Sequence, residues 1–466
     1  MTIQREGLVI PETNTPPVDL ELFESFQAAH LDKIDVYEQL TPTKERKQLG
    51  LDALRRGEEA DFSVHENGRD LDEMVIAERL NTLQQWKHDL IADESLDADI
   101  KQAYRWKINE DIANLHMLEA SRVGDMPRFR RWNEFIYGKP DEDIYRASLD
   151  WVAHDAEQLL DKSDSTAVIE AAQNVLAMLE NERGYRELLV PDDETFQAVR
   201  EDHLREGGYY ALLLAGVKLP KTGKISNEEG EAILRHVVRN NLQSDYEPED
   251  SPGAAWSVVH SRRTFRRPKV YNMLVKRFQG LGLGHEIGTH LLEYVNGTRG
   301  PVRLASRGLD RTEWGSEGRA IVREIVPYES FEEFGKIVRW RDILRRDIAI
   351  GYGWGVGQDE PRTTQQLYQF MKTIDTMYQT KLTPDDPVEI EEKAHKKTGD
   401  LLADRVLRGG GVYLKDKVYA EGHVATWLTA ALRGPRAISD GDLGKYDINN
   451  PRHIKFLQDK GVLPKV

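Results

Sequence analysis

Apolar residues recur at helical spacing between residues 71 and 123. They are separated by three, four and seven positions, and the same kind of spacing returns after a polar turn around residues 93–96. The two stripes are Ile76, Leu80, Leu83 and Leu90, followed by Ile100, Tyr104, Ile108, Ile112 and Leu115. Two apolar helix faces joined by a short turn predict an antiparallel helical hairpin over residues 71–123.

The same pattern divides the chain into three predicted parts. Residues 1–60 mix prolines with charged stretches, which predicts an extended N-terminal arm that becomes ordered by docking on the rest. Residues 61–165 form a helical N-terminal region, and a polar interruption at 162–166 separates it from residues 166–466. The third part is mostly helical in pattern, so we expect a mainly helical α+β protein.

Local signals predict particular elements in the third part. Ser226, followed three residues later by Glu229, has the form of a capping box that begins a helix. Polar and apolar residues alternate at 255–261 and again at 264–271, which predicts two short strands of a small antiparallel sheet. Because Pro268 cannot donate a ladder hydrogen bond, we expect the second strand at the sheet edge.

Composition narrows the possible chemistry. The 466 residues include no cysteine, which excludes disulfides and thiolate sites and leaves His, Asp and Glu as strong metal ligands. The net charge of −16 repels phosphate backbones and anionic lipid, so we expect neither nucleic acid nor a membrane as a partner. Residues 1–17 lack the apolar stretch of a signal peptide, and we therefore expect a cytoplasmic protein.

Only one pair of the 13 histidines is close together in the sequence. His285 and His290 enclose Glu286 in the segment Gly-His-Glu-Ile-Gly-Thr-His, an HExxxH pattern. It has one residue more than the HExxH of zincins, where two histidines bind zinc and the glutamate is the general base. The alternative is a helix with two surface histidines and a capping glutamate.

The extra residue predicts an unusual helix. At about 100° per residue, positions i and i+5 of an α-helix lie about 140° apart, so the two imidazoles would diverge. A π-type turn brings such residues onto one face, and Gly288 has no Cβ to resist the widening. We therefore predict a π-bulge at residues 285–290.

A catalytic zinc site also needs a third protein ligand and an open position for water. The downstream candidates are Glu293, Asp310, Glu313, Glu317, Glu324 and His423. Glu317 begins a second helical pattern, and a helix packed beside the first would present it to the metal. A glutamate is equally favoured there by the helix dipole, so spacing alone does not decide its role.

Several segments resemble one known family. The motif at 284–290, the segment Ser-Glu-Gly-Arg-Ala at 316–320, the segment at 405–409, and Lys415, Asp416, Tyr419 and Gly422 follow in the order of that family. It is the flavohemoglobin expression-modulating QEGLA-motif family, which includes the microtubule-associated tyrosine carboxypeptidases of animals. Ser316 stands where the family has Gln, Arg319 where it has Leu, and the stretch from Arg408 to Lys415 is short.

The resemblance implies a zincin-like metallopeptidase domain in residues 166–466, with the small sheet beside the active-site helix. It implies one Zn²⁺ ion bound by His285, His290 and Glu317, with Glu286 as the general base. It also implies that Lys415 and Tyr419 contact the substrate or its oxyanion.

A basic segment precedes the motif. Seven positive charges and no acid occur within 16 residues, at Arg262, Arg263, Arg266, Arg267, Lys269, Lys276 and Arg277. A carboxypeptidase must hold the terminal carboxylate of its substrate, and guanidinium groups bind carboxylates bidentately. We therefore expect Arg263 and Arg266 to bind substrate. The alternative is a basic edge strand that is solvated or pairs with acids of the chain itself.

These features predict a zinc-dependent carboxypeptidase that removes one residue from the C-terminus of a peptide or protein. The family resemblance implies an aromatic residue as a candidate. Two other classes stay open. One is a non-catalytic regulator or scaffold that retains the peptidase fold, and the other is a zinc hydrolase of a non-peptide amide or ester.

Overall fold

The computed structural model describes residues 8–10, 16–30, 36–64, 73–220, 223–251, 256–269, 272–383 and 386–465. Within these residues the protein is mainly helical, with short strands in two small sheets, in agreement with the predicted α+β class. Positions 71, 72, 255, 270 and 271 of the predicted hairpin and strands lie outside the described residues. The α-helices of four or more residues are Leu20–His30, Val36–Gln39, Lys44–Arg55, Glu73–Ala92, Ala98–Val123, Met126–Tyr137, Glu142–Lys162, Thr166–Leu179, Asp193–Leu204, Tyr209–Leu213, Asn227–His236, Leu292–Arg299, Leu304–Arg307, Glu313–Ile325, Phe331–Gly335, Val338–Trp354, Thr364–Leu382, Pro387–Leu401, Val418–Arg433, Arg436–Asp440 and Pro451–Asp459.

The predicted helical hairpin is confirmed. Helices Glu73–Ala92 and Ala98–Val123 pack on each other, and the apolar stripe of each faces the core. Asp97 caps the second helix by accepting from the backbone N–H groups of Asp99 and Ile100. The capping box of Ser226 and Glu229 is also present, at the start of helix Asn227–His236.

The prediction of an extended arm in residues 1–60 is wrong where the structure describes them. Three helices, Leu20–His30, Val36–Gln39 and Lys44–Arg55, occupy much of this segment. Its apolar residues form short helical stripes, and Phe26 and Leu54 are fully buried against the rest of the chain. The segment does contact the rest of the chain: the Asp19 carboxylate accepts from the backbone N–H groups of Arg303 at 2.7 Å and Leu304 at 3.0 Å.

The three-stranded sheet differs from the prediction in two respects. Strand Thr264–Pro268 lies in the centre, between Glu247–Ser251 and Ser257–Val259, and is not an edge strand. The sheet is mixed, because Glu247–Ser251 runs parallel to the central strand and Ser257–Val259 runs antiparallel to it. Pro268 is tolerated because it is the last residue of its strand, where the ladder ends. A second sheet pairs Lys224–Ile225 with Met273–Leu274.

The helix that carries the HExxxH motif packs between the sheet and helix Glu313–Ile325. A Cβ on Gly282 would lie 3.2 Å from the ring of Trp256, just before strand Ser257–Val259. On the other side, a Cβ on Gly280 would overlap the backbone of Glu324. The glycine-rich approach to the motif therefore serves close packing. Helix Glu313–Ile325 in turn packs on Val418–Arg433.

One hydrophobic core joins residues on both sides of the predicted division at 165/166. Helices Glu142–Lys162 and Thr166–Leu179 pack against each other across the polar interruption, and most of their buried apolar residues belong to the same cluster. That cluster extends from Leu40 to Val418. Among the helices in the described part of the chain, none combines the length and apolarity needed to cross a bilayer.

Candidate metal centre

The structure brings together the three residues expected to bind metal. Glu317 Oε2 lies 3.6 Å from His285 Nε2 and 3.7 Å from His290 Nε2. The three ligand atoms lie within 4.8 Å of one another. The side chains are largely shielded from solvent, with exposures of 5% for His285, 18% for His290 and 11% for Glu317. This cluster can hold a metal ion.

The predicted widening of the helix is confirmed, and it extends further than predicted. Residues Phe278–Leu291 form a π-helix that continues as the α-helix Leu292–Arg299. Two side chains bind carbonyl groups of the widened turns: Thr289 Oγ1 donates to Gly284 O at 2.9 Å, and Arg323 Nη1 donates to Gly288 O at 2.9 Å. Because i and i+5 share a face in this geometry, both imidazoles point to Glu317.

Gly288 is required by this packing. A Cβ at this position would overlap Tyr209 Oη and would lie 2.8 Å from Leu283 O. Tyr209 itself donates towards Gly284 O and stacks under the guanidinium of Arg323, whose Cζ lies 3.8 Å from the ring centre. Tyr209 therefore has two roles. It holds Arg323, which supports the widened helix, and it leaves no room for a side chain at position 288.

The chemistry of the cluster fits a metal cation. Glu317 Oε2 is buried and has no hydrogen-bond partner, an arrangement that costs free energy unless a cation satisfies it. Two imidazoles and one carboxylate are the ligand set of many catalytic zinc sites. Ligand atoms about 2.0–2.1 Å from a tetrahedral ion lie about 3.4 Å from one another, slightly closer than the distances seen here.

Electrostatics also favour a positive charge at this point. Burial acts to raise the pKa of Glu317, but His290 and His285 lower it to about 2. Burial acts to lower the pKa of His290, but Glu317 and Glu286 raise it to about 9. The cluster therefore stabilises a cation, which a proton or a metal ion can supply.

Glu286 lies beside the cluster without belonging to it. Its Oε1 is 3.8 Å from His285 Nε2. Burial raises the pKa of this carboxyl above its usual range, although the two histidines act in the opposite direction. A carboxyl with a raised pKa, close to the position of a metal, is suited to accept and return a proton.

Each imidazole has a partner behind it. His285 Nδ1 lies 2.7 Å from Glu324 Oε1, and Glu324 also contacts Arg339 Nη2 at 3.1 Å. Burial acts to raise the pKa of Glu324, but Arg339 and His285 lower it to about 2. His290 Nδ1 lies 3.1 Å from Ser316 Oγ. Such partners orient metal-binding histidines and fix the tautomer that leaves Nε2 available.

The other ligand candidates have partners elsewhere. Asp310 Oδ1 lies 3.1 Å from His453 Nε2, and Glu313 accepts from Lys445 Nζ at 2.9 Å. His423 Nε2 lies 2.9 Å from Leu189 O. Glu324 and Glu293 lie behind the two imidazoles. Of the six candidates, Glu317 alone belongs to the metal-binding group identified in the described part of the chain.

Lys415 and Tyr419 lie near the cluster. Burial raises the pKa of Tyr419, and the charge of Glu317 adds to this. Lys445, Lys415 and His290 all lower the pKa of Glu313, which indicates that Lys415 and His290 approach the same carboxylate. The Arg346 guanidinium lies over the Tyr419 ring, with its Cζ 5.3 Å from the ring centre. Arg346 and Arg339 were not predicted, because their approach depends on how helix Val338–Trp354 packs.

Arg263 and Arg266 are paired with acids in or just before strand Glu247–Ser251. Arg263, whose side chain is 62% exposed, pairs with Asp245, and Arg266 Nε lies 3.8 Å from Glu249 Oε2. In the described residues, no hydrogen bond or ion pair joins either arginine to the metal cluster. Arg262 and Arg267 are paired in the same way, with Glu249 and Asp250. The positive charges of these four arginines are therefore compensated within the chain.

Comparisons of the chain with protein-family models, with curated proteins and with solved structures found no match. The family resemblance thus rests on the motif residues. The arrangement of His285, His290, Glu317 and Glu286 is the feature that points to a function.

Proposed function

We propose that this protein is a zinc-dependent carboxypeptidase that removes the last residue of a peptide or protein chain. The observation that carries the proposal is the convergence of His285 Nε2, His290 Nε2 and Glu317 Oε2, with the Glu286 carboxylate beside them. Three ligands leave a fourth position of a tetrahedral ion open for water or substrate, which is characteristic of catalytic zinc sites.

His285, His290 and Glu317 would hold the ion. Zinc supplies Lewis acidity, which polarises a carbonyl group and makes water more acidic. Glu286 accepts the proton of the attacking water and returns it to the leaving amine. Because its pKa is raised, the proton affinity of Glu286 differs less from that of the leaving amine, to which it returns the proton.

The cationic side of the site supports a substrate with a free C-terminal carboxylate. Lys415 keeps its charge although it is partly buried: burial acts to lower its pKa, but Glu313 and the neighbouring tyrosines raise it. The ammonium group binds the terminal carboxylate, and the Tyr419 hydroxyl donates to the carbonyl oxygen of the scissile bond as negative charge develops there. Arg339 and Arg346 flank the Tyr419 ring and increase the positive potential.

Metal content and product analysis test the proposal together. Purified protein should bind one zinc ion per chain and release single C-terminal residues from a peptide library with varied termini, detected by mass spectrometry. Zinc binding without peptide cleavage would favour a hydrolase of another amide or ester. Absence of stoichiometric metal would favour the non-catalytic scaffold.

Replacing Glu286 by Gln tests the general base. We expect kcat to fall by about 100-fold to 10,000-fold, because proton transfer is lost, while zinc content is unchanged. Asp347→Asn is a matched control. Asp347 is another buried carboxyl, it accepts a hydrogen bond from Ser148, and burial raises the pKa of Asp347 to about 8. Full activity of Glu286→Gln, or an equal loss in Asp347→Asn, would exclude this role of Glu286.

A further inference from the structure

Ser316 bridges one metal-binding imidazole and a buried carboxylate. Its Oγ lies 3.1 Å from His290 Nδ1 and donates to Glu293 Oε2 at 2.8 Å. Ser316 and Glu293 are each 1% exposed, so water does not compete for these contacts. The connection from imidazole to carboxylate therefore runs through one hydroxyl group.

The direction of these hydrogen bonds follows from the groups themselves. A carboxylate only accepts, so the Ser316 hydroxyl donates its hydrogen bond to Glu293. The serine oxygen must then accept from His290, which requires the hydrogen of that imidazole to be on Nδ1. Nε2 is left with its lone pair on the side of Glu317, as a metal ligand needs.

Arg319 pairs with Glu293 in the interior. Its Nη2 donates to Glu293 Oε1, and its Nη1 donates to Asp442 Oδ1 at 3.2 Å. The side chains of Arg319, Glu293 and Asp442 are at most 1% exposed. A carboxylate at this depth is stable only when paired, so the acceptor of the Ser316 proton depends on the guanidinium of Arg319.

We propose that Ser316, Glu293 and Arg319 act as one positioning unit, which holds His290 in the Nδ1–H tautomer and orients its Nε2 towards the metal. The inference rests on the proposed metal centre. Ser316 and Arg319 are the two positions at which the segment departs from the family pattern, and both contact the same carboxylate. The two departures are therefore coupled through Glu293.

The other imidazole has a simpler support. Glu324 reaches His285 Nδ1 at 2.7 Å without an intervening group. The short Ser316 side chain adds one hydroxyl between His290 and its carboxylate. Loss of Ser316 therefore breaks the connection for His290 and leaves the one for His285 in place.

Zinc affinity measured by competition with a chelator tests the unit. We expect Ser316→Ala and Glu293→Gln each to bind zinc about 10-fold to 100-fold more weakly, as for other partners of metal-binding histidines. The double variant should lose little more than the weaker-binding single variant, because both changes break one connection. Ser316→Thr, which retains the hydroxyl, should restore affinity to within about threefold of the original protein.

Ser148→Ala is the matched control. Ser148 is a buried serine that donates to a buried carboxylate, Asp347, at 2.8 Å, with no histidine attached. This variant should bind zinc like the original protein. In nuclear magnetic resonance spectra of the zinc-loaded protein, the Nδ1–H proton of His290 should be protected from solvent exchange, and this protection should be lost in Ser316→Ala but not in Ser148→Ala.

The outcomes separate this inference from the proposed function. Zinc affinity of Ser316→Ala within twofold of the original protein, or equal weakening in Ser148→Ala, would overturn the positioning unit and leave the metal centre standing. Additive losses in the double variant would likewise overturn it. Absence of zinc binding by the original protein would overturn the metal centre and this inference with it.

Discussion

Two pairs of interior histidines have opposite surroundings. His203 and His423 lie against aromatic rings, and one ring nitrogen of each lies 2.9 Å from a backbone carbonyl oxygen. Burial lowers the pKa of both to about 4. His285 and His290 lie among carboxylates, and there Glu317 raises the pKa of His290 to about 9 although burial acts against it.

The difference shows what makes an interior histidine a candidate ligand. Burial favours the neutral ring, because the charged form loses its hydration. Carboxylates at the same depth reverse this preference and create a place where a cation is stabilised. His423 was one candidate for the third ligand, and its ring and carbonyl neighbours instead indicate a role in packing.

Removing one histidine from each pair tests the comparison most strongly. His290→Ala should weaken zinc binding by roughly 1,000-fold or more, because structural zinc binding of about 10–16 kcal/mol is shared among few ligands. His423→Gln should leave zinc affinity within about twofold, since this ring contributes no ligand. Both values can be measured by competition with a chelator. Similar losses in the two variants would show that burial, and not the ligand set, controls metal binding.

Acidification should destabilise the protein through the other pair, His203 and His423. The pKa of His203 and His423 is about 4 in the folded protein, and an unfolded histidine has a pKa of about 6.5. Below pH 6.5 the unfolded chain therefore binds more protons, and stability falls as the pH falls towards 4. Between pH 7.5 and 4.5 each histidine should remove up to about 2.5 kcal/mol from the free energy of unfolding.

Urea unfolding of His423→Gln and of the original protein at these two pH values measures this effect. The variant should be less stable at pH 7.5, but its stability should fall less on acidification, because one buried neutral imidazole is gone. If the variant and the original protein lose the same amount of stability between the two pH values, His423 is not held neutral in the folded protein.

Much of the metal cluster can be predicted from the sequence, but less of its surroundings can. The spacing of His285 and His290, together with Gly288, predicts the widened helix, because one physical requirement connects all three. The helical hairpin and the Ser226 capping box are predicted for a similar reason: each depends on residues near one another in the sequence.

What the sequence does not reveal depends on packing between distant segments. The contact of Glu324 with His285 and that of Ser316 with His290 exist only because helix Glu313–Ile325 lies beside the π-helix. The central place of strand Thr264–Pro268 could not be foreseen, since its neighbour Glu247–Ser251 is polar and has no apolar alternation. The N-terminal helices were missed because prolines between short apolar stripes resemble an extended arm.

The basic segment extends the comparison to arginines and gives the smallest expected effect. Arg263 and Arg266 each have a nearby acid as a partner, as His203 and His423 have carbonyls. Lys415 is instead partly buried near the cluster. Arg263→Ala should change the free energy of unfolding by less than about 1 kcal/mol, as for other exposed ion pairs, and should leave KM within about twofold. Lys415→Met should raise KM by at least about tenfold, the loss of one charge-assisted hydrogen bond. The check is KM for peptide hydrolysis by the two variants. A tenfold rise in KM for Arg263→Ala with none for Lys415→Met would show that the basic segment binds the substrate carboxylate, despite the acidic partners of its arginines.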